Sequence, residues 1–310
     1  MSLKNVFNTM RNSEGYVIKD LDMYLLQIAN REDENRAIDV NAPSQIGKCM
    51  SARYYARTHA PSDPNNISAR AKRIFDNGTG THERLQKYLK DMGKLLMDEL
   101  PVHNGEYNIQ GHTDGALALE PYSDGDDPRY ADEIGVLEIK SINERGFNQL
   151  KDAKEEHKKQ GLVYVFALEE RRKELHKLYP TLWSFQSSKR KRMKRYAKLY
   201  QHVKGGRKHT KEEKIAFQCE LHDILDSILY RLKKPVTKAV FLYENKNTQD
   251  LKEFTVTTSS AEAKNILKSV LTECAELNDC VKNEVVPQRE GSSKNSECCR
   301  WCNYTIHCWH

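Results

Sequence analysis

Two short stretches hold the residue types that could do chemistry together. In Gly111-His112-Thr113-Asp114-Gly115 a carboxylate stands before a glycine. In Gly135-Val136-Leu137-Glu138-Ile139-Lys140-Ser141 a second carboxylate and an amine alternate with apolar residues. Alternation with period two marks a strand, so Glu138 and Lys140 leave it on one face. Asp114 lies in a Gly-flanked turn that ends an earlier strand-like run over 107–110. Side by side, the two segments would bring two carboxylates and an ammonium to one point. Two acidic oxygens can hold Mg²⁺ or Mn²⁺, and a lysine can orient or deprotonate a water beside a phosphate. This is the layout of a metal-dependent phosphodiesterase. The same residues also suit an ordinary strand with a solvated Glu/Lys face, so the remaining elements must decide.

Positioning these groups falls to the segments around them. Residues 106–119 read as a hairpin, with strands over 106–111 and 116–119 turning through 112–115. Gly78 and Gly80 make a turn, and a helix follows over 79–100, with Leu85, Leu89, Met92 and Leu96 at helical spacing and His82 in its first turn. A second helix over 148–168 puts His157, Gln160 and Tyr164 on one stripe; a wet helix edge would show the same pattern. Strands are expected over 236–243 and 254–258. A helix over 259–281 would carry Cys274 and Cys280 as buried thiols. Near the start, Ser44 reads as the N-cap of a helix with Cys49 in its second turn. A short amphipathic piece carries Tyr24, Leu25 and Ile28.

Composition narrows the classes. The chain has 310 residues, 30% of them charged and 8% aromatic, which suits a globular protein of one large domain or two small ones. It holds no run of 18 apolar residues, so a membrane span is not expected. No signal-peptide pattern stands at its start, so a cytoplasmic location with reduced thiols is expected. Four of the eight cysteines fall in the last 13 residues, which suggests metal or cluster ligands. Between Arg171 and Lys214 there are 16 Lys and Arg against 3 Glu, so this stretch carries +13 and the rest of the chain −7 of the net +6. The basic stretch sits in a segment over 169–235 interleaved with Tyr179, Trp183, Phe185, Tyr196 and Tyr200. Its densest part is Lys189, Arg190, Lys191, Arg192, Lys194 and Arg195. Such residues reach phosphates and stack on bases; a solvated basic helix is the other reading.

Cys299-x₂-Cys302-x₅-Cys308 places three thiols within ten residues. A tetrahedral site needs a fourth, and Cys49 is the candidate; the tandem Cys298-Cys299 leaves one ligand open, with Cys299 preferred for its spacing. One upstream cysteine with this terminal trio resembles the iron–sulfur, RecB-type branch of the PD-(D/E)XK nucleases. That branch includes CRISPR-associated adaptation nucleases, the AddB nuclease domain and many phage exonucleases. Gly78-x₃-His82 looks like the family's Gly-x₃-His motif, Asp114 with Glu138-x-Lys140 its core, and Gln160-x₃-Tyr164 its Gln-x₃-Tyr helix. Tyr243-Glu244-Asn245-Lys246 resembles a strand end of the phage members. The motifs run in family order across residues 44–308. Thr113 replaces the proline that gives the superfamily its name, and the 169–235 insertion is longer and more basic than in a minimal member.

The resemblance implies a single α/β nuclease domain over 1–310, a central mixed sheet flanked by helices. It implies that Asp114, Glu138, the Ile139 carbonyl and His82 hold Mg²⁺ or Mn²⁺. Lys140 would work on the attacking water, and Gln160 and Tyr164 would orient Lys140 or the phosphate. Cys49, Cys299, Cys302 and Cys308 would hold a [4Fe–4S] cluster joining the N-terminal helix to the C-terminal tail, with Zn²⁺ as the alternative. The expected activity is hydrolysis of DNA in phage or bacterial recombination, repair or processing, by exonuclease action. An endonuclease of the same fold, or a non-catalytic zinc-containing nucleic-acid binder, is the alternative. No Gly-x₄-Gly-Lys phosphate loop is present, so unwinding would fall to a helicase or recombination partner.

Overall fold

The computed structural model describes residues 16–34, 39–63, 68–119, 133–178, 234–300 and 302–309. Five strands form one mixed sheet in sequence order: β1 (Leu95–Asn104), β2 (Ile109–Leu119), β3 (Glu133–Ile142), β4 (Val236–Asn245) and β5 (Leu251–Thr257). β1, β2 and β3 pair antiparallel, β3 and β4 parallel, and β4 and β5 antiparallel. The helices are α1 (Tyr16–Glu34), α2 (Met50–Arg57), α3 (Ala69–Asp91), α4 (Glu144–Gln149), α5 (Glu155–Leu178), α6 (Ala261–Lys282), α7 (Glu297–Arg300) and α8 (Thr305–Trp309). The protein is thus α/β, with helices on both faces of the sheet.

The alternation along β3 builds two cores. Ile134 and Val136 join Ala116, Ala239, Phe241 and Tyr243 beneath α5, whose Tyr164, Val165 and Leu168 cover them. Leu137 and Ile139 join Leu95, Leu117 and Val240 beneath Leu85 of α3. A third cluster seats α6 through Val270 and Cys274 on Ile46, Ile109 and Val163. Cys274 is buried and Cys280 half-buried.

α5 lies close against β4 because residue 161 has no side chain. A Cβ at Gly161 would meet Phe241 Cζ at 2.7 Å and Ala239 Cβ at 3.0 Å. Gly161→Ala is expected to cost about 1–3 kcal/mol by overpacking, seen as an earlier denaturation midpoint; an unchanged midpoint would contradict this packing.

Several boundaries differ from the sequence reading. α3 begins at Ala69, where the Ser68 hydroxyl accepts from Ala71 N at 3.1 Å, and it runs through Gly78 and Gly80 rather than starting after them. It stops at Asp91, well before residue 100. Gly93 takes φ +71°, and Gly93 N and Lys94 N donate back to Lys90 O and Leu89 O, which closes the helix as a glycine C-cap does. Residues 95–100 then join β1. The hairpin turn sits at 105–108, so 109–119 is one unbroken strand and Asp114 lies inside β2, not in a turn. Asn143 caps α4, the chain breaks at Leu150, and α5 extends to Leu178, taking in the first ten residues read as insertion. Pro43–Gln45 forms a 3-10 turn, and Cys49 is the N-cap of α2 rather than a second-turn residue.

Candidate functional site

β2 and β3 part company where the chemistry lies. Their ladder ends at Gly115–Leu137, one step short of Asp114 and Glu138. In the opening, the Asp114 carboxylate replaces the missing strand. Its Oδ2 accepts from Ile139 N at 2.5 Å, and its Oδ1 is 3.1 Å from His82 Nδ1 on α3. Gln86, one turn further along α3, donates to the Asp114 carbonyl at 2.8 Å and fixes that backbone. Within a strand, N–H and C=O of one residue face the same edge, so the Ile139 carbonyl faces the same opening.

Glu138 and Lys140 emerge on one face and form an ion pair through Glu138 Oε1. The other oxygen, Oε2, is buried and has no hydrogen-bond partner among the described residues. An isolated buried carboxylate oxygen is costly. Burial, and then the charge of Asp114, push the Glu138 carboxyl up to about 7 despite Lys140. His82 feels opposing effects. Burial pulls its imidazole down, but the hydrogen bond and charge of Asp114 outweigh it and hold the pKa above the usual histidine value. Two acids and an imidazole thus share a space that protons or a cation must neutralise.

α5 closes the other side. Gln160 Nε2 donates to the Tyr164 hydroxyl at 3.3 Å, and both side chains are buried. Burial and the charges of Glu138 and Asp114 raise the Tyr164 phenol, so it stays a donor. His157, one turn before Gln160, is pushed down to about 3 by burial and by Lys140 and Lys154, so it is neutral. Its Nδ1 is 2.6 Å from the Tyr243 hydroxyl, which accepts the Lys154 N–H.

The structure therefore brings His82, Asp114, Glu138, Ile139, Lys140, Gln160 and Tyr164 to one end of the sheet. Among the described residues, no three His, Cys, Asp or Glu side chains already form a single-ion site; the carboxylates are turned to Lys140, His82 and the Ile139 N–H. The oxygen-rich donor set with one imidazole, and the orphaned Glu138 oxygen, suit a divalent cation of the Mg²⁺ or Mn²⁺ kind. Two residues escaped the sequence reading. Gln86 carried no motif. Glu99, which accepts from Gln86 at 3.2 Å, sits opposite Asp114 with φ +45°, a backbone that sequence pattern does not reveal.

The cysteines lie at the junction of the two ends of the chain. Tyr55 of α2 stacks near Tyr304 and His307 and donates to the His307 carbonyl at 3.2 Å. Asp63 accepts from Ile306 N, Met50 N donates to Glu290, and Ser51 to the Pro287 carbonyl. Here burial raises the thiols of Cys302 and Cys308, the latter to about 11, and Cys49 and Cys299 raise both further. Desolvation, then Cys299 and Cys49, raise Cys298 as well, so five thiols lie within mutual electrostatic reach, although among the described residues no three of them already form a single-ion site. Gly291 leaves them room, since a Cβ there would meet Cys299 Sγ at 2.5 Å. Cys298 is exposed and Cys299 buried, but their sulfurs are 3.8 Å apart and a Cβ at Gly291 would meet both, so either thiol borders the group. The basic residues Lys189, Arg190, Lys191, Arg192, Lys194 and Arg195 lie outside the described residues.

No family model and no curated protein matches this chain. Among solved structures, the crystal structure of SSO0001 is similar over 96% of this chain and 98% of its own, at 11% identity and a TM-score of 0.43. Among the described residues, no helix is long and apolar enough to cross a membrane.

Proposed function

We propose that the protein is a metal-dependent deoxyribonuclease of the PD-(D/E)XK kind, acting on DNA ends. The observation that carries the reading is the buried, unpartnered oxygen of Glu138, held beside Asp114, His82 and Lys140 where β2 and β3 separate. An ordinary solvated strand face would leave no such oxygen buried.

Asp114, Glu138, the Ile139 carbonyl and His82 would hold Mg²⁺ or Mn²⁺, with the imidazole favouring Mn²⁺. Such an ion supplies Lewis acidity toward the scissile phosphate and toward water. Lys140, an ammonium donor in its pair with Glu138, would then turn to the attacking water or the phosphate. Tyr164, kept protonated by its surroundings, and Gln160 would donate to a phosphate oxygen or steady Lys140. Neutral His157 adds no charge beside Lys140.

The test is incubation of end-labelled linear and closed circular DNA with Mn²⁺, Mg²⁺ or EDTA. Degradation of linear DNA alone with a divalent ion is expected. Nicking of circles would make the protein an endonuclease. Salt-sensitive binding without cleavage would favour a non-catalytic binder.

The thiols of Cys49, Cys299, Cys302 and Cys308 would hold a [4Fe–4S] cluster or Zn²⁺ in a structural role, because ligation fastens α2 to the C-terminal tail. Cys49→Ser is expected to remove the bound metal and lower the thermal midpoint by about 5 °C, with faster proteolysis at both ends. Cys280→Ser should do neither. Iron and sulfide analysis of anaerobically purified protein separates cluster from zinc.

A further inference from the structure

A second feature lies on the opposite face of the sheet, just past the carboxyl ends of β3 and β4. A cavity of about 500 Å³ opens there between α3 and the β4–β5 turn, lined by Thr81, Arg84, Tyr88, Glu244, Lys246 and Gln249 among others. We propose that this cavity is a subsite for a nucleic-acid backbone phosphate, which holds the strand next to the linkage presented to Asp114, Glu138 and Lys140. The proposal rests on the nuclease reading above and adds a substrate contact to it.

Three observations support it. First, the lining carries two cations and one acid, and the acid is already committed. Glu244 is buried and accepts from Arg84 Nη2 at 2.6 Å, with Thr81 Oγ1 at 3.4 Å from its other oxygen. The carboxylate pins the guanidinium, which also bonds Tyr88, and the remaining donors are left for an anion. Arg84 remains partly exposed, and among the described residues Lys246 has no ion-pair partner.

Second, the turn that presents Lys246 and Gln249 is built rather than loose. Asn245 is buried and ties both ends: its N donates to Asp250 O at 2.9 Å, its carbonyl accepts from Gln249 N at 2.8 Å, and its Oδ1 accepts from Asn247 N at 3.0 Å. Lys246 N donates to Ile142 O at 2.8 Å, joining the turn to the end of β3. Gln249 is held at φ +60°, a conformation that costs free energy in a non-glycine residue.

Third, the cavity is close to the reacting groups. Ser141, next to Lys140, pairs with Glu244, and Thr81 adjoins His82 on α3. Tyr88 is exposed, with Arg84 6.0 Å from its ring centroid, an arrangement that can receive an unpaired base beside the phosphate. Residues on both faces thus converge on the carboxyl edge of β3 and β4, where open α/β sheets receive ligands.

The experiment uses the full chain carrying Asp114→Asn to block cleavage. Binding of an end-labelled single-stranded oligonucleotide is followed by fluorescence anisotropy in EDTA over a range of salt, with and without Lys246→Ala or Lys246→Gln. Each added variant is expected to weaken binding about 5- to 10-fold at moderate salt, and to reduce the slope of log K against log salt by about 1. In the cleavage-competent chain, Lys246→Ala should raise KM and leave kcat within about 2-fold. A folded Lys246 variant with unchanged affinity and slope overturns the subsite while leaving the nuclease reading intact. Absence of both DNA binding and cleavage in the parent chain overturns both.

Discussion

Asp114→Asn is expected to lower metal-dependent DNA cleavage by at least about 10³-fold while the folded chain survives. The substitution keeps the size of the side chain and one oxygen acceptor, so the Ile139 N–H can retain a partner. It removes the charge that, with Glu138, would neutralise a divalent ion. Asp114→Ala should lose activity equally and also lose stability by about 1–3 kcal/mol, because the Ile139 N–H and His82 both lose their acceptor. Lys140→Ala should match the activity loss and also cost stability, because the buried Glu138 Oε1 loses its ion-pair partner while Oε2 already has none. Substantial residual cleavage by either Asp114→Asn or Lys140→Ala would reject these roles. Circular dichroism and thermal melts separate the chemical effect from unfolding.

Glu138→Gln should make the metal-free protein more stable above neutral pH and abolish its response to Mn²⁺. In the folded chain the Glu138 carboxyl keeps its proton up to about 7, whereas its ordinary value is 4.5. Between those values the unfolded state binds fewer protons than the native one, so stability falls as pH rises. The loss is absent below about pH 4.5 and complete above about 7. His82 acts in the same direction: its raised pKa contributes stability at low pH that disappears as pH rises through its folded value. Glutamine at 138 removes the first contribution. In EDTA the variant should therefore melt about 5 °C higher than the parent at pH 8 and nearly level with it at pH 4.5. Saturating Mn²⁺ should reverse the order at pH 8, because only the parent gains binding free energy. A parent whose EDTA melting curve is no more pH-dependent than that of the variant would contradict the buried-acid arrangement.

Much of the sheet was legible. The alternation in 135–141 is a local pattern, and it placed Glu138 and Lys140 on one face, as their ion pair requires. Strands near 236–243 and 254–258 and the helix after 259 fall within a few residues of β4, β5 and α6 because apolar spacing and the Ser260 N-cap are local signals. Local signals misled where two competed. The glycines at 78 and 80 resemble a turn, yet the Ser68 cap and the packing of Leu85 hold the helix through them. The glycine that does end α3, Gly93, is hidden in the sequence because Met92 and Leu96 continue the helical spacing, although Met92 caps α3 and Leu96 belongs to β1. Gly111 and Gly115 on either side make Asp114 look like a turn residue. Gly115 is small for another reason: a Cβ there would meet Met97 O at 2.9 Å across the β1 pairing. The contacts that complete the site were not legible at all. Gln86 with Asp114, and Arg84 with Glu244, are separated by 28 and 160 residues, and the packing of α3 on the sheet through Leu85 brings them together.

The most direct measurement is anomalous diffraction at the manganese edge from crystals of the protein soaked in Mn²⁺. The expected result is a manganese peak about 2 Å from oxygens of Asp114 and Glu138, with the His82 ring in its coordination sphere and Lys140 beside it. A fully soaked crystal with no peak there, or with manganese held away from both acids, would contradict the shared-cation site.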